Sequence, residues 1–133
     1  MRSLRILLIE DDLDSGEAMC LLLRKQDTQV EWAATAEEAI TRYRRDHDID
    51  LIFVDLMLPE MDGATLIERL SEIAPLPAVV IHTAAATAAA TEAARRINAA
   101  TILRKPTDWA VMRTLLERYR PVPSGNGARE RSR

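Results

Sequence analysis

Acidic, hydroxyl and basic side chains occur in four short segments, each directly after an apolar run. Glu10, Asp11 and Asp12 follow Leu4–Ile9, Asp55 follows Leu51–Val54, His82 and Thr83 follow 78–81, and Arg104, Lys105 and Pro106 follow 100–103. Carboxylates held close together repel one another, so one must take up a proton or a cation must neutralise them. Hard oxygen ligands with few protein contacts suit Mg2+, which keeps several waters and often bridges to a phosphate. A nearby lysine pairs with phosphate as a point charge, and a carboxylate is a known covalent acceptor for a phosphoryl group. Lysine is scarce: Lys25 and Lys105 are the only two in 133 residues, which gives the place of Lys105 weight. One acidic pair at a strand end is common without any site. The four segments together point to a divalent-metal and phosphate site.

The elements that must position these residues alternate. Leu4–Ile9 is an apolar run stopped by acids, and 29–33 is a weaker strand candidate. Leu51–Val54 is apolar throughout, with β-branched and aromatic residues, as a strand buried on both faces should be. The runs 78–81 and 100–103 complete five strands. Between them lie helical patterns. Asp14 with Glu17 and Thr35 with Glu38 have capping-box spacing, ahead of Met19, Leu22 and Leu23 and of Ala39, Ile40 and Tyr43. A turn at 59–63 precedes Leu66, Ile67 and Leu70. The alanine-rich stretch 84–94 has strong helix propensity, and Asn98 suits a left-handed end to it. Thr107 is the expected cap of a last helix with Trp109, Met112, Leu116 and Tyr119 on its inner face. Five βα units imply a parallel sheet covered on both faces with right-handed crossovers. Ligands of such sheets bind beyond the carboxyl ends of the strands, where all four polar segments fall.

In order and spacing, Ile-Glu-Asp-Asp at 9–12, Val-Asp-Leu-Met-Leu-Pro-Glu-Met-Asp-Gly at 54–63, Thr-Ala at 83–84 and Lys-Pro at 105–106 resemble a response-regulator receiver domain of two-component signalling, chemotaxis-receiver-like, over roughly 4–119. The middle segment is highly specific and the other three are weak singly. The resemblance implies an α/β, flavodoxin-like (βα)5 doubly wound fold, with a five-stranded parallel sheet in the order 2-1-3-4-5. It implies that Asp55 is the phosphoacceptor. Glu10 and Asp11 would hold Mg2+, Asp11 more directly, together with Asp55 and the backbone carbonyl of Met57, and Asp12 would lie just outside. Thr83 would hydrogen-bond the phosphoryl oxygens and Lys105 would pair with them. The implied donor is a phosphohistidine of a sensor histidine kinase or a histidine phosphotransfer protein, and the implied reader is a downstream effector protein. The chain would catalyse only its own phosphoryl transfer and hydrolysis. The loop after strand four, with the face of helix four and strand five, would be the switching element.

Three positions depart from the family pattern. Ile102 stands three residues before Lys105, where receivers often carry an aromatic switch residue, and isoleucine cannot hydrogen-bond or swing a polar tip. Thr107 stands where a phenylalanine is common, and Asn98 where a glycine often ends helix four. His82 should point away from Thr83 by strand alternation and reads as a hydrogen-bonded histidine at the core edge. Arg42, Arg44 and Arg45 read as a solvated helix face. A phosphorylation-independent receiver-like scaffold is the alternative: Ile102 favours it, while the acids and Lys105 oppose it. A phosphohydrolase using Asp55 as nucleophile would need an acid two residues on, where Met57 stands. A nucleotide-binding flavodoxin-like protein would need a glycine-rich phosphate loop after strand one, which is missing.

Composition bounds the rest. With 47% hydrophobic and 29% charged residues, 133 residues fit one soluble domain. The expected division is a receiver over 1–120 and a flexible tail or linker start over 121–133. A net charge of −3 argues against direct nucleic-acid binding by bulk charge. No apolar stretch approaches the ~20 residues a membrane crossing needs. Cys20 is the only cysteine and falls in an apolar helical pattern, which suits a reducing compartment and a buried side chain. The expected location is the cytoplasm. Pairing into a homodimer is left open.

Overall fold

The computed structural model describes residues 2–121. Five strands, β1 (Leu4–Ile9), β2 (Thr28–Ala33), β3 (Leu51–Val54), β4 (Ala78–Thr83) and β5 (Thr101–Arg104), alternate with five helices. The helices are α1 (Leu13–Arg24), α2 (Ala36–Arg45), α3 (Gly63–Ser71), α4 (Thr87–Ile97) and α5 (Trp109–Tyr119). All strand pairs are parallel, in the order β2-β1-β3-β4-β5, as the resemblance implied.

Strand alternation divides the core in two. Leu7, Ile9, Ile52, Val54, Val79 and Ile81 face one side and pack with Ala39 and Tyr43 of α2, Ile67 and Leu70 of α3 and Ala90 of α4. Leu4, Ile6, Leu8, Phe53, Val80 and Leu103 face the other and pack with Met19, Cys20 and Leu23 of α1 and Met112, Leu115 and Leu116 of α5. Every residue of β3 is buried, so its sequence is apolar throughout instead of alternating. Burial pushes the Cys20 thiol above its ordinary pKa, which keeps it protonated and inert. Trp109 and Tyr119 are half-buried against the same cluster as Met112 and Leu116.

The helix ends correct several sequence expectations. At α1 the cap is Asp12, whose carboxylate accepts from the Ser15 N–H at 2.9 Å, so the helix starts ahead of the Asp14–Glu17 pair. At α2 the Thr35–Glu38 pair does cap: Thr35 Oγ1 accepts from Glu38 N at 3.0 Å, while Glu38 reaches back to Ala34 N. The α5 cap is Asp108, which accepts from Ala110 N and Val111 N; the hydroxyl of Thr107 is taken by His82 instead. α4 runs three residues later than its alanine content suggests. Its N-cap, Ala86, has no side chain to offer, and Asn98 closes it at φ 56° in the left-handed region.

The pole where the strands begin is held by polar contacts. Arg5 pairs with Asp46 at 2.7 Å and Asp48 at 3.0 Å, and Arg2 with Asp50 at 2.8 Å. Arg120, just after α5, donates to the carbonyls of Gln26 and Asp27. No described helix is long and apolar enough to cross a membrane. The expected tail over 121–133 lies, apart from Pro121, outside the described residues.

Candidate functional site

The strands β1, β3, β4 and β5 end on one rim, and parallel pairing brings their last residues side by side. Asp55 follows β3 and is 8% exposed. Its Oδ1 accepts from the Thr83 hydroxyl at 3.0 Å and from the Met57 N–H at 3.0 Å, and its Oδ2 accepts from Lys105 Nζ at 2.8 Å. Glu10 is 1% exposed; its Oε1 accepts from Lys105 Nζ at 2.8 Å and its Oε2 from Asp12 N at 3.2 Å. Lys105 thus bridges two buried carboxylates across the sheet. Burial alone would lower its pKa, but the hydrogen bonds it donates to Asp55 and then Glu10 outweigh that and hold the ammonium above the ordinary lysine value.

Asp11 completes the cluster. Oxygens of Glu10, Asp11 and Asp55 lie within 4.8 Å of one another. Three carboxylates face one ammonium, which leaves two negative charges uncompensated. The donor set is all hard oxygen, and Asp11 carries no hydrogen bond or ion pair among the described residues. Both features fit a divalent cation of the Mg2+ type. Asp12 turns away to cap α1, so it lies outside the cluster, as expected.

Met57 comes to the site through its backbone, with a side chain 62% exposed. The loop it belongs to is pinned by a bridge between Met57 and Asp62 and by Gly63 N donating to Leu56 O at 3.0 Å. Gly63 is obligatory here: a Cβ at this position would lie 2.3 Å from the carbonyl oxygen of Asp55.

Thr83 is fully buried, at 0% exposure, and its hydroxyl also accepts from Ala85 N at 3.1 Å. Ile102 is half-buried against the α2–α4 side of the core. Two residues on, Arg104 Nη2 donates to the carbonyl of Ala85 at 2.5 Å. His82 points to the opposite face from Thr83. It shares a 2.8 Å hydrogen bond between Nε2 and Thr107 Oγ1 and meets the Phe53 ring edge-on. Burial first, then the Lys105 charge, lowers its pKa to about 4, so it is neutral near pH 7. Of the basic run, Arg42 pairs with Glu31, while Arg44 and Arg45 are solvated.

Sequence reading gave no role to two residues near the site. The Trp32 indole N–H donates to the backbone carbonyl of Glu10 at 2.9 Å, and its ring lies on Gly16 so closely that a Cβ there would fall 2.1 Å from Cζ2. A glycine inside a helix costs ~1 kcal/mol and asks for a packing reason, which was the available signal. The second residue is Arg104, for which a strand-end position alone indicated nothing.

The family described as response regulator receiver domain matches residues 6–117. A response regulator receiver protein of Anaeromyxobacter sp. (strain Fw109-5) is 34% identical over 102 residues, 77% of this chain and 42% of that protein. An uncharacterized 14.6 kDa protein of Leptolyngbya boryana is 32% identical, covering 86% of this chain and 88% of its own length. Among solved structures, the non-phosphorylated receiver domain of HemR from Leptospira biflexa superposes with a TM-score of 0.78 at 33% identity, over 88% of this chain and 94% of that one. The chain spans about two fifths of the Anaeromyxobacter protein and under a third of the response regulator GtcR of Aneurinibacillus migulanus. With five parallel strands in this order and the family's match running across all of them, the chain belongs to the response regulator receiver domains.

Proposed function

We propose that the chain, over residues 1–120, accepts a phosphoryl group on Asp55 from a phosphohistidine of a sensor histidine kinase or histidine phosphotransfer protein, and thereby switches the binding of a downstream effector. The observation that carries this reading is the placement of one buried carboxylate, Asp55, between a lysine, a hydroxyl and two further acids. In the transfer, a bond forms between an Asp55 oxygen and phosphorus as the phosphorus–nitrogen bond breaks, and the imidazole keeps the electron pair. Lys105 holds Asp55 oriented and balances charge gathering on the phosphoryl oxygens. Thr83 can turn its hydroxyl from Asp55 to a phosphoryl oxygen, and the Met57 N–H fixes the carboxylate's rotation. Glu10, Asp11, Asp55 and the backbone of Met57 are the groups that would hold Mg2+, which when bound neutralises the excess negative charge that otherwise opposes an incoming phosphate.

Incubation with acetyl phosphate and Mg2+, followed by intact mass measurement, tests the reading. The parent is expected to gain one phosphoryl group, and neither Asp55→Asn nor the parent in chelator should gain any. A parent that gains none from acetyl phosphate and binds no Mg2+ would instead support a phosphorylation-independent scaffold, the reading that Ile102 favours.

A further inference from the structure

A continuous path of hydrogen bonds leaves the acceptor and ends on the edge of the sheet. Asp55 Oδ1 accepts from Thr83 Oγ1 at 3.0 Å; Thr83 Oγ1 accepts from Ala85 N at 3.1 Å; Ala85 O accepts from Arg104 Nη2 at 2.5 Å. From this path we infer that Arg104 is the residue that reads the state of Asp55, in place of an aromatic side chain at 102. The inference rests on phosphoryl acceptance by Asp55.

Three features single out Arg104. Ile102 and Arg104 are two apart on β5 and so share a face, the one that also carries Ile81 and Thr83 of β4. Ile102 has no polar atom to offer, whereas Arg104 reaches beyond it to the β4–α4 loop. The carbonyl it holds belongs to the residue just before Ala86, the N-cap of α4, and Ala86 supplies no side-chain hydrogen bond. The entry of α4 is therefore held from β5 by Arg104 and from the pocket by Thr83. Finally, Arg104 is exposed while Thr83 is buried. An exposed hydrogen bond contributes little net stability, so it can break at small cost.

The sequence of events follows from the bonding. When the Thr83 hydroxyl turns to a phosphoryl oxygen, it moves toward the pocket and draws the Ala85 N–H with it. The Ala85 carbonyl then withdraws from the guanidinium. Arg104 is released onto the outer face of β5, and the start of α4 shifts.

Beryllofluoride with Mg2+ serves as the probe of the acceptor site, followed by amide NMR of the full chain. In the parent, the Asp55 and Thr83 amides should report occupancy, and the Arg104 Nε–H and the amides at Thr87 and Ala88 should move with them. In Arg104→Gln, the pocket amides should still respond while the response at Thr87 and Ala88 falls by more than half. Because coupling is reciprocal, removing a contact that occupancy must break should raise the apparent affinity for beryllofluoride, about fivefold. A merely structural Arg104 would leave that affinity unchanged. An Arg104→Gln protein with parental affinity and parental α4 response overturns the inference and leaves the reading of Asp55 intact. A parent whose Asp55 and Thr83 amides do not respond overturns both.

Discussion

His82 lies one residue from the pocket yet points into the opposite half of the core, where Thr107 is its hydrogen-bond partner. Burial holds it at about 4 against 6.5 for an ordinary histidine. The unfolded chain therefore binds a proton at higher pH than the folded one. The stability tied to neutral His82 is complete above pH 6.5, drains as pH falls, and is gone below about 4. At 1.36 kcal/mol per tenfold step, the loss over that window is about 3 kcal/mol. In His82→Gln the difference in unfolding free energy between pH 7.5 and 4.5, from urea titrations, should shrink by a comparable amount. An acid limb as steep as the parent's would show that other groups dominate. The identity of this histidine's partner was not legible in the sequence, because Thr107 was read as a helix cap. The carboxylate of Asp108, one residue on, takes the cap and leaves the hydroxyl free for His82.

At the scale of elements, what could be read depended on how completely each was buried. β3 is enclosed on both faces and was legible to the residue; β2 is a half-exposed edge strand and gave only a weak signal. The start of α4 was misplaced because alanine favours helix without marking an end, and no capping side chain is present to mark it. The convergence of Asp55, Thr83 and Lys105 followed from strand-end positions, whereas the support of Glu10 by Trp32 depends on a contact between β2 and β1 that no local pattern encodes. α3 gives a test. Glycine to alanine inside a helix ordinarily gains ~1 kcal/mol. At Gly63 the added Cβ would meet the Asp55 carbonyl at 2.3 Å, and backbone cannot yield as a side chain does. Gly63→Ala is therefore expected to destabilise the fold by about 2 kcal/mol in urea unfolding, the cost of overpacking. A gain in stability would show that the loop from Leu56 to Gly63 relaxes freely.

For the whole molecule, the two poles of the sheet are opposite in character. The pole where the strands end gathers acids with too little positive charge among them; the pole where they begin is stitched by arginine–aspartate pairs. A divalent cation held by the proposed site would bind only the folded chain, so it should stabilise the fold by mass action, by about 3 kcal/mol at a hundredfold excess over Kd. Thermal unfolding of the parent should shift upward with Mg2+, and Asp11→Asn should lose most of that shift. A parent indifferent to Mg2+ would remove the metal from the proposed chemistry.

The stitched pole also decides where anything joined to the domain must start. β1 begins there, and the chain returns there at Arg120, whose guanidinium grips the carbonyls of the α1–β2 turn. A six-residue strand spans about 20 Å, so the described chain enters at Arg2 and leaves at Pro121 on the side remote from Asp55. For anyone building sensors or chimaeras from this domain, joints made at residues 2 and 121 lie at the pole opposite the acidic rim.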